Sequence, residues 1–226
     1  MRKTKFSAEN YYHIYNRGTE KRQIFLDNSD YARFIHYLYE FNDKKFDRNI
    51  SRKIERGLTS FTQTSRDLLV EIVAFCLMPN HFHLILKQLK DNGIAQFMQK
   101  VGTGYAMYFN KKNKRSGSLF QGTFKAILIE NNEYLTHLSR YVHLNPVELI
   151  ESAWKAEGIK DWRSANEFLI NYRWSSYLDY TGVKNFPSLI NKETIMSCFK
   201  GEASYADFIN NWLVQDLEYV QRSVLE

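Results

Sequence analysis

The sequence predicts an α+β fold, on three observations. Residues 11–17, YYHIYNR, alternate side chains in the two-residue period of a strand and are rich in aromatics. Residues 68–87 hold two apolar runs parted by Pro79 and Asn80, the pattern of a hairpin. Elsewhere, apolar residues recur at three- and four-residue spacing, as on amphipathic helices. The order is strand, helix, strand, strand, helix, strand, helix. It fits an antiparallel sheet with helices packed on one face, a sandwich of the ferredoxin-like kind. Residues 1–150 are expected to form this unit. Residues 151–226 are expected to add a helical extension packed on or beside it.

Each element has its own justification. Gly18 allows a turn after the first strand. Ser29 or Asp30 can cap a helix over Tyr31–Phe41, where Phe34, Leu38 and Phe41 share a face. Residues 42–67 are polar and basic and read as a connection carrying at most a short helix. The run LLVEIVAFCLM at 68–78 is apolar almost throughout, typical of a central strand. His81–Lys87 then forms its hairpin partner. Ile94, Phe97, Met98, Val101, Tyr105 and Tyr108 predict a helix over Gly93–Asn110, and Lys111–Gly117 a basic loop. Residues 118–129 read as a strand or strand pair around Gly122. Asn131 or Asn132 can cap a helix running to about Asn145, which Pro146 ends. The tail holds all four tryptophans and two helical patterns, the clearer from Tyr205 to about Val224.

Composition narrows the classes. The chain has 226 residues, 44% hydrophobic, with 10 Gly and 3 Pro, which suits a folded globular core rather than a low-complexity chain. No apolar run approaches the roughly 20 residues that span a bilayer. The N-terminus lacks the apolar segment of a signal peptide. Cys76 and Cys198 lie far apart, so a reducing, cytoplasmic setting without a disulfide is expected. The net charge of +6 is compatible with a polyanionic partner. Lys111, Lys112, Lys114 and Arg115 bunch together, as do the basic residues between Lys44 and Arg56.

The chemistry centres on MPNHFHLIL, residues 78–86. On a strand, His81 and His83 point to the same face, half of a metal site. His137, Tyr141 and Asn145 fall at i, i+4 and i+8, on one helical stripe. Asn145 could offer its amide oxygen to the same metal, with the Tyr141 phenol alongside. Such a set suits phosphodiester cleavage by a tyrosine, in which the phosphate is held covalently and resealed later. Tyr105 and Tyr108 also lie on a helix and rival Tyr141, which alone is coupled at i+4 to a candidate ligand. His137 can be a base, a ligand or a surface group, and His13 reads as structural. Lys111, Lys112, Lys114 and Arg115 are candidates for phosphate contact, as are Lys125, Arg17 and Arg22.

Five segments carry a family resemblance: HIYNRG at 13–18, CLMPNHFHLIL at 76–86, SLFQGTFKAIL at 118–128, RYVHLNPV at 140–147 and RWSSY at 173–177. Together they resemble the Y1 transposases of the IS200 type, and more closely their REP-associated tyrosine transposase branch. The resemblance implies that His81 and His83 are the HUH metal ligands, for Mg²⁺ or Mn²⁺. It implies that Tyr141 forms a 5′-phosphotyrosine on single-stranded DNA, with a hairpin and short flanking guide as substrate. Asn145 stands where the insertion-sequence enzymes usually carry Gln, which keeps the amide oxygen but shortens its reach. The partner is then single-stranded or hairpin DNA, and the protein a monomer or homodimer. The competing readings are a non-catalytic binder of structured DNA that keeps the fold, and a metal phosphoesterase that uses water.

Overall fold

The computed structural model describes residues 5–44 and 66–211. The basic stretch beyond Lys44, any helix within the 42–67 connection and the end of the 205–224 pattern fall largely or wholly outside these residues. Four strands form one sheet: β1, Tyr11–Arg17; β2, Val70–Met78; β3, His81–Gln88; and β4, Lys125–Ile129. Their order is β2-β3-β1-β4, all antiparallel. The helices of this unit are α1, Asn28–Glu40; α2, Gly93–Lys112; and α3, Asn132–Leu144.

Pro79 and Asn80 close the β2–β3 hairpin, with Met78 opposite His81. That register decides the faces, because a slip by one residue would turn every side chain over. Phe82, Leu84 and Leu86 join Tyr12 and Ile14 in a core under α1 and α2. His81, His83 and Ile85 face the other way. There Ile85 joins Cys76, Met78 and the inward stripe of α3, Leu135, Leu138, Tyr141 and Val142. The α+β antiparallel sandwich is as expected, with one correction to its layering. The two crossover helices share one face, but α3 covers the opposite one. Apolar side chains line both faces of β2 and β3, so both faces need a cover.

Two further expectations change. The apolar run ending at Met78 occupies an edge strand rather than a central one. It reads as central because both faces are buried and its outer edge is partly paired by the tail. Leu77 N donates to Trp174 O at 2.9 Å and Ser176 N to Phe75 O at 3.0 Å. The cap of α1 is Asp27, whose carboxylate accepts from Ser29 N and Asp30 N. Asp30 is instead fully buried, accepting from Leu26 N and ion-paired with Lys112 at 2.7 Å. At α3, Asn131 caps through Tyr134 N at 2.7 Å. A 3-10 turn, Asn145–Leu149, follows directly. Its Pro146 is tolerated because first-turn N–H groups need no intrahelical acceptor. Of residues 118–129, only 125–129 form an extended strand.

Beyond Leu149 come short helices: α4, Trp154–Glu157; α5, Trp162–Asn171; α6, Tyr177–Tyr180; α7, Glu193–Met196; and α8, Glu202–Asn210. They share the α3-side core, where Trp154, Tyr180 and Tyr205 are fully buried. His143 ties them to α3. Its Nδ1 bonds Tyr205 Oη at 2.7 Å and its Nε2 bonds Ser176 Oγ at 2.8 Å. No helix among the described residues is long and apolar enough to cross a membrane.

Candidate active site

His81 opens β3 and His83 lies two residues on, so the pleat sets both on the α3 side. Their rings stand 5.0 Å apart at right angles. The Nδ1 of His81 is 2.6 Å from Asn80 Oδ1. An amide oxygen only accepts, so Nδ1 donates and Nε2 of the neutral ring keeps its lone pair. His83 is fully buried, with Nδ1 2.9 Å from Nε2 of His13 on the adjacent strand β1. Burial, with smaller contributions from His81, His13 and Lys155, pushes the His83 imidazole well below its ordinary range. It is therefore neutral near pH 7, the form that binds metals.

Tyr141 meets this pair within the same chain. Its ring packs edge-on against His83, with centroids 5.7 Å apart. The placement follows from the inward stripe of α3. Asn145, one turn on, is fully buried, and its Nδ2 donates to Tyr141 O at 2.8 Å. Its Oδ1 has no hydrogen-bond partner among the described residues. Tyr141 is itself only 3% exposed. Trp154 lies 6.4 Å from its ring, and Lys155 Nζ lies 5.4 Å from the ring centroid. Lys155 is held by Glu148 at 2.9 Å.

A cavity of about 390 Å³ opens over the histidines. His81, His83 and Glu148 line it together with Arg17, Lys21 and Lys125. Arg17 is oriented by Gln121, whose Oε1 accepts from its Nε at 2.7 Å.

Residues 44–145 match the model of a family described as IS200-like transposases, a stretch that contains His81, His83, Tyr141 and Asn145. Over that stretch the chain is similar to the IS200-like transposases. Among solved structures it is similar to a REP-associated tyrosine transposase bound to a REP hairpin. That pair is 14% identical, with 83% of this chain and 88% of the other covered and a TM-score of 0.49. A second similar structure, provisionally described as a transposase of Deinococcus radiodurans R1, is 16% identical. It covers 63% of this chain and 95% of its own, with a TM-score of 0.35. A comparison with curated proteins found no match.

The basic residues of this chain divide into two groups. Arg17 and Lys125 line the histidine cavity, whereas Lys111, Lys112, Lys114 and Arg115 do not. Lys112 is tied to Asp27 and Asp30 at 2.8 and 2.7 Å. Arg115 bonds Asn110 Oδ1 and Ser118 O. Arg22 bonds Thr19 O and pairs with Glu20. His137 sits beside Phe208 of α8, at 5.7 Å. Tyr105 is fully buried on the other side of the sheet and donates to Ile24 O, and Tyr108 donates to Asp30, so neither rival tyrosine approaches the histidines. Sequence reasoning missed the bond from His13 to His83, although His13 shares its strand face with Tyr15. It also missed Lys21, Glu148 and Lys155, which carry no spacing signal.

Proposed function

We propose that this protein is a transposase of the REP-associated branch, a metal-dependent single-stranded DNA endonuclease and strand transferase. It acts in the cytoplasm on hairpin DNA through a covalent 5′-phosphotyrosine at Tyr141. The observation that carries the reading is the 5.7 Å contact between Tyr141 and His83 in one chain. His81 and His83 would hold Mg²⁺ or Mn²⁺ through Nε2, with Asn145 Oδ1 as a hard oxygen donor. The fit is chemical. His81 Nδ1 is engaged by Asn80, His83 Nδ1 by His13, and Asn145 Oδ1 lacks a donor among the described residues. When bound, the cation would polarise a non-bridging phosphate oxygen.

The chain's own groups do the remaining work. Arg17, Lys21 and Lys125 hold the strand by its phosphates, and His13 keeps His83 turned toward the cavity. Tyr141 Oη gives its proton to solvent and attacks phosphorus, the new O–P bond forms and the P–O3′ bond breaks. The 3′ oxygen takes up a proton, and the 5′ end stays on the tyrosine. Attack by a 3′ hydroxyl reverses these steps and joins strands without ATP. Because Tyr141 is 3% exposed, with Lys155 against its ring, the phosphate reaches it only when its surroundings shift. The same burial favours one alternative, a non-catalytic binder of structured DNA that keeps the fold.

Incubation with end-labelled hairpin DNA and Mn²⁺ separates the readings. The proposal expects cleavage with a protein–DNA adduct in the wild type and neither in Tyr141→Phe. Tight binding without cleavage in the wild type contradicts it in favour of the binder. Cleavage that persists in Tyr141→Phe assigns the attack to water.

A further inference from the structure

Among the described residues that line the histidine cavity, Glu148 is the one acid, set with Arg17, Lys21 and Lys125. A carboxylate there repels the phosphates of a DNA strand, so its presence calls for a role other than binding. Its partner supplies one. Glu148 lies in the 3-10 turn after α3 and is ion-paired at 2.9 Å with Lys155 of α4. Trp154, the residue before, is fully buried and fixes this part of α4 in the core.

Lys155 is held against the proposed nucleophile. Its side chain is only partly exposed, and its Nζ stands 5.4 Å from the centroid of the Tyr141 ring. Its charge also reaches the sheet beneath. Burial is the main cause of the low pKa of His83, and the Lys155 charge adds to it. At Cys76, burial raises the thiol pKa, with Lys155 opposing and Glu148 adding.

A strand cut at Tyr141 leaves a phosphodiester joined to a phenol that is 3% exposed. That diester carries one negative charge, and a charge taken out of water is costly unless it is paired. Lys155 already stands beside the phenol, on a flexible four-carbon stem. We propose that Lys155 is a catalytic residue that exchanges the Glu148 carboxylate for the phosphate as the Tyr141 ester forms, and that Glu148 is a positioning residue that keeps the ammonium at the phenol until then. This inference rests on the Tyr141 chemistry proposed above.

The exchange moves no proton to or from Lys155. The Oη–P bond forms and the P–O3′ bond breaks as before, while the ammonium donates a hydrogen bond to a non-bridging phosphate oxygen. Glu148 recovers its partner when a 3′ hydroxyl releases the tyrosine. A pair that only braced α4 would have no need to stand in the cavity and against the tyrosine.

The test separates binding from chemistry. Full-length protein is titrated with hairpin DNA by fluorescence anisotropy without metal, and adduct formation is then timed in a single turnover with saturating protein and Mn²⁺. A partly exposed ion pair adds little to folding, so the variants are expected to unfold near the wild-type midpoint. Lys155→Met is expected to bind the hairpin within about twofold of the wild type and to form adduct about a hundredfold more slowly, the scale of one lost oxyanion donor. Lys155→Arg, which keeps the charge, is expected to recover to within about tenfold of the wild-type rate. Lys155→Gln repeats the comparison with a polar side chain should the apolar one unfold the protein. Adduct formation at the wild-type rate without the ammonium overturns the assignment. So does a loss that appears wholly in binding, or one that Lys155→Arg does not restore. A wild type that binds the hairpin and forms no adduct overturns instead the Tyr141 reading on which the inference rests.

Discussion

His83 is held from three sides. His13 bonds its Nδ1, His81 stands across its edge, and the Tyr141 ring packs against it. An imidazole that ligates a metal, as proposed for His83, needs its other nitrogen fixed, because that bond sets both tautomer and ring orientation. Here the fixing group is another buried histidine, held neutral by burial at a pKa of about 3. His13→Phe keeps the aromatic bulk and removes the bond. It is expected to weaken Mn²⁺ binding by about tenfold or more, measured by calorimetry on the DNA-free protein. Unchanged affinity would place His13 in the core and nowhere else. His83→Ala is expected to remove the calorimetric signal. The pair His81 and His83 was legible because a strand pleat and a proline turn are local features. His13 was not, because only the β1–β3 register brings it to His83. Lys112 was misleading for a related reason, since its acidic partners lie some eighty residues away.

At the scale of elements, α3 and the tail act as one layer. His143 joins α3 to the 173–177 segment and to α8, accepting or donating at both ring nitrogens. Burial lowers its pKa from 6.5 to about 3. Between those values the unfolded chain binds a proton that the folded chain does not. Stability from this group is therefore complete above about pH 6.5 and declines as pH falls toward 3. The slope from one such histidine is about 1.4 kcal/mol per pH unit. His143→Phe should show a shallower loss of urea stability between pH 6.5 and 5 than the wild type. It should also be less stable at pH 7, by roughly 1–3 kcal/mol, because Ser176 and Tyr205 lose a partner. An identical slope would mean that His143 is solvated in the folded state. The helix itself was readable from Asn131, the apolar stripe and Pro146. Its side of the sheet was not, since element order does not say which face a final helix covers. The edge position of β2 was hidden likewise. A strand buried on both faces and bordered by Trp174–Ser176 has the composition of a central one.

At the scale of the molecule, the site is assembled within one chain, and the core beneath Tyr141 includes Trp154, Tyr180 and Tyr205 from beyond residue 150. Both halves of the proposed chemistry, imidazole pair and phenol, meet within this one polypeptide. Mixing His83→Ala protein with Tyr141→Phe protein is expected to restore no cleavage. Recovery would show that α3 is exchanged between copies, and sedimentation of the mixture would show the dimer responsible. The motif order from residue 13 to 177 exposed the site in the sequence because each motif is a local segment. The cation beside Tyr141 was not legible, because Lys155, itself paired with Glu148, meets the tyrosine only after the 3-10 turn and α4 fold back. The central claim is that Tyr141 is the nucleophile. Its most direct test is peptide mapping by mass spectrometry after reaction with hairpin DNA and Mn²⁺. The account predicts a nucleotide mass on the peptide containing Tyr141, absent when the metal is chelated. The same mass on a peptide containing Tyr105 or Tyr108, or cleaved DNA with no modified peptide, would contradict it.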